Sequence, residues 1–169
     1  MSPAIKPVAI REFEPGDGAV FRRLNEEWIN RYFRMEGKDV EAIADPEASI
    51  LASGGRIFFA VLDGECVGCC ALIRIGAGEF EVAKMAVTAA CQGMGIGRRL
   101  LETVVEAARS AGTHRLYLET NHTLTPAIRL YESVGFQHVP ARHESPYARA
   151  DVFMEMVLDW KPGASHESD

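Results

Sequence analysis

The period of the apolar positions changes along the chain, and each change marks a change of structure. Val8 to Phe13 reads as a short strand, and Pro15-Gly16-Asp17 follows as a turn able to cap a helix. From about Gly18 to Arg34, Val20, Leu24, Trp28 and Tyr32 recur at intervals of four, which predicts a helix with one apolar stripe. A second, weaker helix is expected from Lys38 to about Ala48, interrupted or ended by Pro46. Past Gly55 the period shortens. Arg56 to Leu62 is rich in Ile, Phe and Val, Asp63-Gly64 is a hairpin signal, and Cys66 to Ile75 reads as the partner strand. Gly76-Ala77-Gly78 then turns into Glu79 to Val87, giving three antiparallel strands in a row.

The second half alternates helix and strand. Ile96, Leu100, Val104, Ala108 and Ala111 make a helical stripe that Gly112 ends. His114 to Thr120 is a strand, and Thr125-Pro126 carries the N-cap and first-turn chemistry of a short helix that stops at Gly135. Phe136 to Val139 and Asp151 to Leu158 supply two last strands. These elements predict an α/β (α+β) domain over residues 1–160, with a polar tail over 161–169.

Length and composition narrow the class. The chain has 169 residues, 47% apolar and 25% charged, the size of one domain that builds a core without disulfides or metal. Its longest apolar run, Ile57 to Leu62, is far short of the ~18 residues a membrane span needs. The first ten residues do not read as a secretory signal, so a cytoplasmic location with reduced thiols at Cys66, Cys69, Cys70 and Cys91 is expected. Cys66 and Cys69 resemble half a zinc site, but no second pair has matching spacing, and strand alternation should turn them to opposite faces. No metal is expected.

The net charge of −6 argues against a nucleic-acid footprint. Between Cys91 and Ser133, however, the balance is +1, which leaves −7 on the remainder. A small polyanion would prefer the middle of the chain.

That stretch holds the sharpest motif, Gln92-Gly93-Met94-Gly95-Ile96-Gly97-Arg98-Arg99, between a strand and an amphipathic helix. Glycines permit a tight path, and the first amides of the helix point outward without intrahelical partners, a ready site for phosphate. Arg98 and Arg99 add positive charge. A dinucleotide fingerprint would need a glycine where Arg98 stands, and a P-loop would need Lys-Ser/Thr after Gly97. Neither fits.

Gln92, Gly95 and Gly97 match Gln/Arg-x-x-Gly-x-Gly/Ala, and residues 127–136 match Ala-Ile-x-Leu-Tyr-x-x-x-Gly-Phe, with Arg129 at the variable position before Leu130. Over Glu79 to Leu158 the sequence resembles the GNAT superfamily of N-acetyltransferases. The resemblance implies a mixed, mostly antiparallel sheet of six to seven strands flanked by about four helices, with two strands splayed into a cofactor wedge. It also implies an acetyl-CoA donor site. The pyrophosphate would lie on the amides of the loop from Gln92 through Gly93, Met94, Gly95, Ile96 and Gly97 to Arg98, and the pantetheine arm would meet backbone groups of Met85, Ala86 and Val87.

The resemblance also suggests the chemistry. Tyr131 occupies the family's tyrosine position, suited to protonating or hydrogen-bonding the leaving thiolate. Glu81 resembles the strand glutamate used as base in the histone-modifying branch, and simple alternation would put Glu81, Ala83, Met85 and Val87 on one side. Glu79, Glu119 and a water chain compete for that role. Asn121 would contact the donor only if its loop bends inward, because the family's asparagine position is Leu124 here. The acceptor would enter between the first two helices and the Pro140 to Ala150 segment, near Trp28, Tyr32, Phe33, Arg142, Glu144, Tyr147 and Arg149. The implied function is acetyl transfer to a primary amine of a small molecule or peptide by direct attack in a ternary complex. A non-catalytic acyl-CoA sensor is the alternative, and a homodimer is left open.

Overall fold

The computed structural model describes residues 7–141 and 144–158; the predicted tail at 161–169 lies outside them. Strand β1 (Ala9–Glu12) leads to helices α1 (Gly18–Tyr32) and α2 (Gly37–Ala44). After Pro46 the chain makes a short π-helical turn, Glu47–Leu51, instead of prolonging α2. The strands β2 (Arg56–Leu62), β3 (Glu65–Gly76) and β4 (Glu79–Val87) follow as a meander. Next come α3 (Ile96–Ser110), β5 (Arg115–Thr120), α4 (Thr125–Val134), β6 (Gln137–His138) and β7 (Val152–Val157).

The seven strands form one sheet in the order β1-β2-β3-β4-β5-β7-β6. All neighbours are antiparallel except β4 and β5, which α3 connects. The mostly antiparallel sheet and four α-helices agree with the expected fold class.

A core lies on each face. On one, Leu100, Leu101, Val104 and Val105 of α3 pack with Phe58, Cys70, Leu72 and Val82. On the other, Phe21 and Leu24 of α1 and Ile43 of α2 pack on Phe59, Cys69, Ala71 and Ala86. Burial at about 25 cal/mol per Å² of apolar surface makes these two layers the main stabilising element.

Three local readings need correction. The buried face of α1 is Phe21, Leu24, Asn25 and Ile29, with Tyr32 exposed, because a step of four overshoots the turn and carries the expected stripe off the core. Thr125 is the first residue of α4 and Leu124 its cap, with Pro126 in the first turn. Cys66 and Cys69 both pack towards the α1 side, because Val67 is an extra residue between the pairs Ala60↔Gly68 and Val61↔Cys66. The second bulge in β3 and β4 shapes the site.

Candidate functional site

Strands β4 and β5 pair only from Glu79↔Arg115 to Glu81↔Tyr117. Beyond that point they separate, and the edge of β4 loses its ladder partner. The expected wedge is this gap. Two cavities occupy its neighbourhood, one of about 600 Å³ towards α3 and one of about 120 Å³ towards α1.

The larger cavity is built by the glycine loop. Gly93 and Gly95 have φ of 84° and 77°, and Gly95 caps α3. A side chain at either glycine would meet nothing within 4 Å, so their requirement is conformational. The residues that follow this left-handed cap, Ile96, Gly97 and Arg98, line the cavity, and the amides a helix start leaves without intrahelical partners, with the helix dipole, add positive potential there. Met85, Val87, Gln92, Gly93, Gly95, Ile96, Gly97 and Arg98 all line this space. Gln92 also acts as a strut: its Nε2 donates to the Val87 carbonyl at 3.3 Å, and its Oε1 accepts from Tyr32 at 3.2 Å. Glu27 fastens the same turn to α1 by accepting from Thr88 Oγ1 at 2.8 Å and the Ala89 amide at 3.0 Å, and these bonds hold its carboxyl below the usual range.

Two residues expected to serve the donor through their backbone keep their side chains out of this space. Met94 is 52% exposed at the loop tip, and the Ala86 side chain is buried on the opposite face. The two arginines divide: Arg98 lines the cavity and donates to Ser133 Oγ at 2.8 Å, whereas Arg99 donates to the Val8 carbonyl near β1. Only Arg98 adds its charge to the mouth.

The smaller cavity gathers Glu81, Lys84, Glu119, Asn121, Tyr131, Tyr147 and Arg149 with Trp28 and Phe33. Its floor departs from regular alternation. Between the pairs Cys69↔Ala86 and Ala71↔Ala83, β4 carries two residues, Lys84 and Met85, against Cys70 alone. Lys84 takes φ 55°, a left-handed conformation that costs a side-chain-bearing residue about 1–2 kcal/mol. The bulge reverses the alternation: Ala83 and Ala86 face the α1 side, while Val82, Met85 and Val87 pack towards α3. Glu81, opposite Ile73, is therefore not on the face of Met85 and Val87 as simple alternation implied.

Burial and the neighbouring Glu119 push the Glu81 carboxyl up to about 7, against a smaller opposing pull from Lys84. Tyr131 packs edge-on against Phe136 with centroids 6.1 Å apart, and burial raises its hydroxyl well above the ordinary range. Asn121 turns back on its own loop. Its Nδ2 donates to the Arg149 carbonyl at 2.6 Å, and its Oδ1 accepts from the Thr123 amide at 2.9 Å, so it lines the smaller cavity and not the donor loop.

The sequence reading missed an ion cluster beside this cavity. Asp39, fully buried, receives Arg149 Nη1 at 2.9 Å and Nη2 at 2.6 Å, and Glu36 accepts from Nη1 at 3.0 Å. Lys84 Nζ lies 3.9 Å from Asp39 and donates to Tyr147 Oη at 2.8 Å. Burial works to raise the Asp39 carboxyl, yet Arg149, the Glu36 amide and Lys84 together hold it below the usual range. Burial lowers Lys84 and raises Tyr147 to about 12. A lysine inside the otherwise apolar run from Val82 to Val87 was the signal available. Arg142 lies outside the described residues, and among those described no group of three or more His, Cys, Asp or Glu could hold a metal ion.

The architecture and sequence are those of a known class of enzyme. The chain belongs to the acetyltransferase (GNAT) family, whose model matches residues 21–136, and so to the acyltransferases. An Escherichia coli protein named as the uncharacterized N-acetyltransferase YjgM is 27% identical over 146 residues, covering 82% of this chain and 84% of its own. A GNAT-family acetyltransferase from Staphylococcus aureus superposes with a TM-score of 0.81 at 19% identity, over 90% of this chain and 100% of that one. The Salmonella typhimurium protein yncA, solved with its cofactor acetyl-CoA, superposes at 0.72 with 21% identity, over 92% and 96%. At these identities the two structures show the shared fold.

Proposed function

We propose that the protein transfers the acetyl group of acetyl-CoA to a primary amine by direct attack within a ternary complex. One observation carries this reading: the two cavities share Trp28, Met85, Leu124 and Ala127 as lining. A donor held by its pyrophosphate on the amides of Gly93 to Arg98 would run along Met85 and Val87. Its thioester then meets the acceptor cavity, where Glu81 and Tyr131 stand.

The residues suit the chemistry. An alkylamine with a pKa of about 10.4 arrives mostly protonated, and Glu81, poised near neutrality, takes that proton directly or through water. The amine nitrogen attacks the thioester carbonyl, the C–S bond breaks and the thiolate leaves, and the second proton of the nitrogen passes through water to the departing sulfur. Tyr131 keeps its proton at neutral pH, so its role is to stabilise that thiolate by hydrogen bonding. The test is release of free thiol from acetyl-CoA across a panel of amines and peptides. Saturable, amine-dependent release supports transfer, and donor binding without release from any amine favours a sensor.

A further inference from the structure

Three elements meet around Arg149: the segment before β7, helix α2, and the bulged floor of β4. The guanidinium makes a two-pronged contact with Asp39, binds Glu36, and stacks with its carbon 5.6 Å from the Phe33 ring centre and 4.8 Å from that of Tyr147. The main chain of the same residue is held too, since its carbonyl accepts from Asn121 and the neighbouring Ala148 amide donates to Glu36 at 3.2 Å. Lys84 then ties Tyr147 to the floor. A planar fork is the side chain able to satisfy Asp39 at two points while keeping its charge within about 6 Å of two ring centres. The acyl-transfer steps use none of these contacts.

We propose that the Arg149–Asp39 clamp fixes the roof of the acceptor cavity and thereby sets its specificity, admitting amines on an unbranched carbon and excluding amines on a branched one. The inference rests on the acetyltransferase reading. An apolar cavity of about 150 Å³ takes one benzene ring, so the smaller cavity, at about 120 Å³, seats an aminomethyl group with about one ring, and anything longer extends towards the larger cavity with which it shares lining. The walls of Trp28, Phe33, Tyr131 and Tyr147 suit such a headgroup. Tyr147 and Arg149 line this cavity, so a carboxamide branch on the amine-bearing carbon would compete with the pinned segment for space. Arg149 is thus a positioning residue acting through the loop that carries it.

The experiment compares benzylamine with phenylglycinamide, which is benzylamine carrying such a branch, in wild type, Arg149→Gln, Arg149→Lys and Asp39→Asn. Wild type should favour benzylamine in kcat/KM by about tenfold or more, the scale on which pockets sort shapes. Arg149→Gln and Asp39→Asn should bring the ratio near one by lowering the KM for phenylglycinamide, and Arg149→Lys should fall between. Donor affinity should stay at the wild-type value in all of them. Equal use of both amines by wild type, or an unchanged ratio in Arg149→Gln, overturns the proposal. Should Asp39→Asn fail to fold, Arg149→Gln decides alone. Hydrogen exchange over residues 144–150 separates the two layers: faster exchange in Arg149→Gln is expected of a clamp whether or not any amine turns over, and unchanged exchange rejects it. Donor binding with no thiol release from either amine in wild type rejects the transferase reading, and the specificity claim with it.

Discussion

Glu81 and Met85, four residues apart on one strand, face opposite sides of the sheet because Lys84 between them is left-handed and bulged. In a regular strand they would share a face. The bulge puts a carboxylate against the acceptor cavity while the residues after it turn towards the donor loop. Under the proposed transfer, one strand would serve both substrates.

Glu81→Gln should lower kcat/KM at neutral pH by about 10²-fold, the lower range for removing a general base. In wild type the rate should climb as pH rises through about 7, where Glu81 ionises. That limb should vanish in the variant, and its deficit should shrink at high pH as free amine becomes abundant. A pH-independent deficit points to another base.

The same carboxyl makes a stability prediction of definite sign. A folded-state pKa raised to about 7 means that the native protein holds a proton the unfolded chain has released, so stability falls as pH rises from about 4.5 to about 7. Glu81→Gln removes this dependence. Its Tm should exceed that of wild type at pH 8, with the difference closing by pH 5, as thermal melts at both values would read.

Tyr131→Phe should reduce kcat by about 10²-fold while leaving acetyl-CoA affinity within a factor of about three, since the hydroxyl acts on charge that develops only as the thiolate leaves. Equal rates in the two proteins remove the proposed role. Calorimetric titration of the donor supplies the affinity arm.

Asp39→Ala should destabilise the fold by about 3–5 kcal/mol, because it leaves Arg149 and Lys84 charged in partly buried positions without their common counterion. Asp39 is held below the ordinary carboxylate range, so its contribution is present above about pH 4 and is lost as pH falls through the folded value. Denaturation at neutral and at acidic pH should show a gap between the proteins that narrows in acid.

These predictions also mark where the sequence was readable. The meander, α3 and α4 were legible because turn signals and apolar period agree along them, and the glycine loop was legible because Gly93 and Gly95 need left-handed backbone. The face of α1 was misread: a four-residue step gains about 40° per turn, so Val20 and Tyr32 cannot both face the core. The bulges escaped because nothing in an apolar run says which residue will be doubled. The Asp39–Lys84–Arg149 cluster escaped because its members come from three separated elements, and only the folded sheet brings them together.

The most direct measurement of the central claim is a crystal structure with acetyl-CoA bound. The pyrophosphate is expected within hydrogen-bonding distance of the amides between Gly93 and Arg98, with the thioester between Met85 and Tyr131. Gly95→Asp, which sets a carboxylate at the left-handed cap, should weaken donor binding by tenfold or more, about the scale of a helix-terminus charge effect. A pyrophosphate found away from the loop, or wild-type affinity in Gly95→Asp, would contradict the claim.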